Sequence, residues 1–253
     1  MKTNTSLILH IPHSSTTIPA AYRSMYLHPE QLDELVLSLT DLYTDELFAC
    51  DEADTLIFPV SRFLCDVERF RDKAQEEMTQ RGMWICYTKT PFGDDLARFD
   101  QAHEQHIVNT YYDAHHRRFS HTVGAALARH DQAIIIDCHS FPDQLPYYPA
   151  GKCPDICIGT DSYHTPAPLL EYCRSYFLNL GYTAAVNHPF SGAIVPMEWY
   201  RKDKRVQSLM IEVNRNLYCQ KDGRKSSDFS TIRHDLHTLL ASLSLMFPHR
   251  RMA

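Results

Sequence analysis

Two histidines and a glutamate occupy the positions in this chain where hydrolytic chemistry would need them. His13 follows the apolar run Leu7-Ile8-Leu9-His10-Ile11-Pro12, and His139 follows Ala133-Ile134-Ile135-Ile136-Asp137-Cys138. Glu212 lies within Ser208-Leu209-Met210-Ile211-Glu212-Val213-Asn214-Arg215. Each run reads as a buried strand, and the two histidines fall where the apolar residues run out. Neutral imidazole and carboxylate oxygen suit Zn²⁺ or another divalent metal and leave a position for water. A carboxylate in apolar surroundings has a raised pKa, which fits Glu212 for the role of general base.

The elements that must hold these residues follow from the apolar pattern. Strands are expected at Leu7 to Ile11, Thr55 to Phe58, Met83 to Tyr87, Ala133 to Asp137, Ile156 to Ile158, Ala184 to Val186 and Leu209 to Val213. Helical spacing covers Pro29 to Cys50, Leu96 to His130, Pro166 to Leu180 and Thr231 to Met246. Near-continuous apolar strands alternating with helices predict a mostly parallel sheet covered on both faces. Ligands of such sheets sit beyond the carboxyl ends of the strands, where His13 and His139 are expected. With no repeat, low-complexity tract or Gly/Ser linker, residues 1–253 are expected to form a single domain.

Composition narrows the function. The net charge is −6, from 25 basic and 31 acidic residues, so there is no basic footprint for nucleic acid. No apolar run approaches transmembrane length, and the first apolar run is too short for a signal peptide, so a cytoplasmic protein without a membrane partner is expected. The eight cysteines are scattered with no CxxC pair, as in a protein that keeps its thiols reduced.

Asp41 and Asp45 are the other acidic candidates, four residues apart and able to share a helix face. Ser61 to Asp72 holds three arginines and three acids, suiting Arg62 or Arg69 to clamp a carboxylate unless internal pairs such as Arg62 to Asp66 absorb them. His103-Glu104-Gln105-His106 is one residue short of the HExxH metal motif. His115 and His116 read as a polar helix face from which one residue could reach a pocket.

Together these segments resemble the N-formylglutamate amidohydrolases over nearly the whole chain. The resemblance rests on His-Ile-Pro-His-Ser-Ser at 10 to 15, Thr-Asp at 40 to 41, Ser-Arg-Phe-Leu-Cys-Asp-Val-Glu-Arg at 61 to 69 and Tyr-Tyr-Asp-Ala-His-His at 111 to 116. It continues with Asp-Cys-His-Ser at 137 to 140, Pro-Asp-Ile at 154 to 156, Asn-His-Pro-Phe-Ser-Gly at 187 to 192 and Ile-Glu-Val-Asn-Arg at 211 to 215. That family is similar to the zinc carboxypeptidases, which implies an α/β three-layer α/β/α sandwich, phosphorylase/hydrolase-like, with a mixed, mostly parallel sheet.

The resemblance further implies zinc-dependent hydrolysis of N-formyl-L-glutamate to formate and L-glutamate, the terminal step of a histidine-degradation route. It implies His13, His139 and Asp41 as metal ligands, with Asp45 the alternative acid, and Glu212 and Arg62 as catalytic groups. Arg69, Asn187 and Ser140 are the implied substrate contacts, and His10 takes a supporting or structural role. Two positions depart from the peptidase pattern: Glu68 stands where an Asn precedes the arginine, and Thr16 where an acidic ligand would stand. The alternatives are a deacylase of another N-acyl amino acid or small peptide, and a binding protein that has lost its metal.

Overall fold

The computed structural model describes residues 5–142 and 153–246. Six strands form one sheet: β1 (Leu7–Ile11), β2 (Asp54–Ile57), β3 (Ala133–Phe141), β4 (Ile156–Thr160), β5 (Ala184–Val186) and β6 (Val206–Asn214), in the order β2-β1-β3-β6-β4-β5. β2, β1, β3 and β6 run parallel, β4 runs antiparallel to β6, and β5 runs parallel to β4. The helices are α1 (Ala20–Arg23), α2 (Leu32–Leu39), α3 (Thr44–Leu47), α4 (Gln101–Ile107), α5 (Asp113–His130), α6 (Ala167–Asn179) and α7 (Phe229–Met246).

Strand alternation divides the sheet into two faces. Leu7, Leu9, Ile11, Ile134, Ile136, Cys138, Leu209, Ile211 and Val213 pack with residues of α3, α6 and α7. The opposite face sets Ile8, Ala133, Ile135 and Val206 against Phe119, Val123, Ala126 and Leu127 of α5. The result is a three-layer α/β/α sandwich on a mixed, mostly parallel sheet. On the α5 face, the positions after the apolar ones are polar: His10 on β1, Asp137 and His139 on β3, and Glu212 on β6. His139 and Glu212 are register partners across the parallel β3–β6 pair.

A further buried cluster joins α1, α2 and α4 to the segments around Phe58 to Val67 and Met83 to Tyr87. Met83 to Tyr87 is therefore not a sheet strand: its residues bury into this cluster through turns, and only an isolated bridge joins its two ends. The helix expected from Pro29 to Cys50 breaks in two, because Thr40 is extended at ψ 137° and Tyr43 is left-handed at φ 62°. Asp41 and Asp45 consequently do not share a helix face. The helix expected from Leu96 starts later, at Gln101, where Asp100 caps it by accepting from the His103 N–H at 2.9 Å. A π turn at Val108–Tyr112 then interrupts the helix just before His115 and His116.

One glycine is fixed by close approach. A Cβ at Gly159, on β4, would lie 2.3 Å from the Gly192 carbonyl oxygen and 2.4 Å from Met210 Cε. The segment carrying Gly192 can therefore lie directly against the sheet, where it forms one wall of the cavity described next.

Candidate active site

His13 lies two residues beyond β1, with Pro12 between it and the strand, and is almost fully buried. Its Nε2–H donates to Asp66 Oδ1 at 3.0 Å, while its Nδ1 is buried with no hydrogen-bond partner. Buried polar atoms are almost always paired, so an orphaned nitrogen marks a place for something else. Around that nitrogen, Asp41 Oδ2 and Glu68 Oε2 each lie 3.7 Å away.

His139 lies inside β3 rather than past its end, and both its nitrogens face acids. Nε2 is 3.1 Å from Asp137 Oδ1 and 3.2 Å from Glu68 Oε1, and Nδ1 is 3.0 Å from Asp41 Oδ2. Asp137 Oδ1 is also 2.8 Å from His10 Nδ1, and His10 Nε2 is 2.9 Å from His115 Nε2. His10 is completely buried and stacks on Phe119 with 4.7 Å between ring centroids.

Donor counting orders this chain. Asp137 resists protonation: burial alone would raise its pKa, but His139 and His10 hold it well below the usual carboxylate range. An ionised carboxylate only accepts, so with a neutral ring His10 donates its Nδ1–H to Asp137, and the hydrogen bond of His139 Nε2 runs to Glu68. His10 Nε2 must then accept from His115 Nε2–H. His115 suits that neutral role, since burial and the nearby His10 push its pKa down to about 2. Both His139 nitrogens face carboxylates, Asp41 at Nδ1 and Glu68 at Nε2, while the free Nδ1 of His13 lies on the Asp41 side.

The electrostatics favour a cation between these rings. Burial pulls the His13 pKa down and Arg62 opposes a charge there, yet Asp66 and Asp41 raise it above the ordinary value. His139 is raised further, with Glu68 and Asp137 overcoming its burial. Carboxylates that draw protons onto two buried imidazoles attract a divalent cation for the same reason. His13, His139 and Glu68 each bring a possible ligand atom within 4.8 Å of the others. Asp41 reaches both histidines as well, so two carboxylates contend for the third position. Asp45 is exposed on the first turn of α3 and makes no part of this group.

Glu212 faces the same space from β6. It is buried, its Oε2 has no hydrogen-bond partner, and burial, opposed by His139 and reinforced by Asp41 and Glu68, pushes its pKa up to about 8. Both histidines, Glu68, Glu212 and Arg62 line a cavity of about 590 Å³, whose other wall is Phe190 to Val195 with Met197 and Tyr200. His116 also reaches this cavity, while its Nε2–H donates to the Val67 carbonyl at 2.8 Å.

Arg62 and Arg69 both turn toward Asp66, at 3.0 and 3.2 Å from its Oδ2, and Tyr87 donates to the same oxygen. The internal pair of Arg62 with Asp66 is thus present. Arg69 also donates to the carbonyls of Met83 and Glu68 and to Tyr87 Oη, so its guanidinium is almost wholly committed. Arg62 keeps an unpartnered Nε and lines the cavity.

Two expected substrate contacts lie elsewhere. Asn187, left-handed at φ 55°, accepts from the Thr160 N–H at 2.9 Å and donates to Thr160 Oγ1 at 2.7 Å. Its amide fastens the segment that leads into the cavity wall rather than lining the cavity itself. Ser140 alternates with His139 along β3, so its side chain turns to the opposite sheet face, beside the Tyr218 hydroxyl. His103 and His106 lie outside the group, on α4.

Sequence reasoning passed over Asp66 as a partner of His13, Glu68 as a carboxylate at the histidines, and Asp137 as the hinge between His139 and His10. The signal for Asp137 was in view: a carboxylate at the end of an all-apolar strand requires a buried partner.

The family model for N-formylglutamate amidohydrolase matches residues 5–219. The crystal structure of N-formylglutamate amidohydrolase from Ralstonia eutropha JMP134 is similar, with a TM-score of 0.84 at 22% identity over 97% of this chain and 95% of that one. A gene product of Agrobacterium tumefaciens gives 0.66 at 19% identity, over 96% of this chain and 92% of that one. At these identities the two structures share the fold. Among curated proteins, none matches the chain.

Proposed function

Because the chain belongs to the N-formylglutamate amidohydrolase family, we propose that it hydrolyses the amide bond of N-formyl-L-glutamate with the help of a bound divalent metal, zinc first among them. The observation that carries this reading is the orphaned Nδ1 of His13, buried opposite Asp41 and beside His139. His13 and His139 would hold the ion through their Nδ1 atoms. Asp41 would be the third ligand, because its Oδ2 lies 3.0 Å from His139 Nδ1 and 3.7 Å from His13 Nδ1, so one oxygen reaches both rings. When bound there, zinc supplies the Lewis acidity that polarises an amide carbonyl and acidifies water.

The remaining work falls to the chain's own groups. Glu212 takes a proton from the attacking water on its Oε2 and returns it to the leaving nitrogen, its buried and unpartnered Oε2 being free for both transfers. Arg62 turns its free Nε–H toward negative charge that develops on the carbonyl oxygen. Asp66 accepts from His13 Nε2–H, and Glu68 and Asp137 flank His139 Nε2, which fixes both imidazoles from the side away from their Nδ1 atoms. On this reading the products are formate and L-glutamate, as in the terminal step of a histidine-degradation route. Among the described residues no helix is long and apolar enough to cross a membrane.

Glu68 and the commitment of Arg69 favour one second reading, the same hydrolysis on another N-acyl amino acid. Zinc-loaded enzyme assayed on formyl, acetyl and succinyl derivatives of glutamate, leucine and alanine separates the two. We expect formyl-L-glutamate to give the highest kcat/KM; a higher value for another acyl or amino-acid partner selects the second reading.

A further inference from the structure

N-formyl-L-glutamate carries two carboxylates, and of the two arginines lining the cavity Arg69 is almost wholly committed to the protein while Arg62 keeps an unpartnered Nε–H. A second cation lies next in sequence to the last residues of the other wall. Arg201 follows the cavity-lining Tyr200, and its guanidinium carbon lies 5.4 Å from the centroid of that ring.

Four basic residues crowd positions 201 to 205 of an otherwise acidic chain. Arg205 is paired with Asp203 and Asp131, Lys202 Nζ donates to the Met197 carbonyl, and Lys204 lies over the Tyr163 ring. Arg201 is exposed, and among the described residues its guanidinium has no carboxylate partner.

Its backbone is held in place by a buried residue. Arg201 is left-handed at φ 54°, uncommon for a residue with a side chain. Its N–H donates to His164 Nε2 at 2.8 Å, and His164 is fixed from its other nitrogen by the Val206 carbonyl at 2.7 Å. His164 is only 1% exposed and stacks on Tyr200 with 5.8 Å between centroids. A buried imidazole thus sets the backbone of an unpaired arginine one residue beyond the cavity-lining Tyr200. Asp161, also on this wall, accepts from the Tyr163 and His164 N–H groups on Oδ1 at 2.8 and 2.9 Å, and the Tyr200 hydroxyl lies 3.5 Å from its Oδ2.

We propose that Arg201 selects the side-chain carboxylate of the substrate, gripping it at the cavity mouth while the amide group lies deeper, beside His139 and Glu212. The proposal rests on the hydrolase reading above and adds the residue that makes an acidic amino acid the preferred partner. A charge-assisted pair of this kind discriminates a carboxylate from its neutral amide by about 10- to 100-fold.

The test compares zinc-loaded wild type and Arg201→Gln on N-formyl-L-glutamate and N-formyl-L-glutamine, which match in shape and differ in charge. We expect wild type to favour the glutamate about 10- to 100-fold in kcat/KM. The variant should lose that preference through a higher KM for glutamate alone, with kcat and the thermal midpoint unchanged. Arg201→Lys should restore part of it. A variant that keeps the wild-type preference, or a wild type without one, overturns the proposal while leaving the hydrolase reading intact. A wild type that hydrolyses neither compound overturns both.

Discussion

Replacing Glu212 with glutamine should lower kcat for N-formyl-L-glutamate by about 10²- to 10⁴-fold, the range for loss of a positioned acid–base group, with zinc content unchanged. Glutamine keeps the shape and hydrogen-bonding capacity of a protonated carboxyl group, so the fold has no reason to respond. It cannot accept and return a proton. KM should change little, because the lost interaction belongs to the transition state.

The same variant carries a stability signature in metal-free protein. The Glu212 carboxyl has a folded pKa of about 8 against an ordinary value of 4.5, so the native state holds its proton more tightly than the unfolded chain does. The contribution is fully present below about pH 4.5 and is lost as pH rises through about 8. Urea unfolding of wild type and Glu212→Gln across this window should show a stability advantage for the variant that grows with pH, on the order of a few kcal/mol. A flat difference would mean that the carboxyl is not held protonated in its buried position.

The second large effect concerns the two carboxylates at the histidines. Asp41→Ala should abolish tight zinc binding, because Asp41 Oδ2 is the carboxylate oxygen that faces the Nδ1 atoms of both histidines. Glu68→Gln should retain zinc, since Glu68 faces the protonated Nε2 of His139. Asp137→Asn should fall between them, weakening affinity by about 10- to 100-fold as loss of an outer partner does. Competition against a chromophoric chelator measures all three. Zinc loss on Glu68→Gln with retention on Asp41→Ala would reverse the assignment.

Much of this arrangement was legible in local sequence, and the limits are physical. Apolar runs located the strands because a parallel sheet buried on both faces demands them, and the same runs exposed His13, His139 and Glu212 as exceptions. Met83 to Tyr87 has the composition of a strand but lies in a side cluster, since burial without strand pairing calls for the same residues. The break at Thr40 left no mark in the helical spacing, because Leu39, Leu42 and Leu47 are apolar for separate packing reasons.

Side-chain partners were harder to read. Asp66 is 53 residues from His13, Asp41 is 98 from His139, and Asp137 is 127 from His10. Nothing in the spacing of one segment says which distant carboxylate a buried imidazole will meet. The same holds for Arg69: its type suited a substrate clamp, but Tyr87, Met83 and Asp66 claim its donors only after the chain has folded. Strand parity was available in principle for Ser140, which cannot share a face with His139.

Formate release from N-formyl-L-glutamate before chelation, after it, and during zinc back-titration tests the central claim most directly. Activity should vanish with the metal and return in proportion to the zinc bound. Protein verified as free of bound metal that still releases formate at the original rate would contradict it.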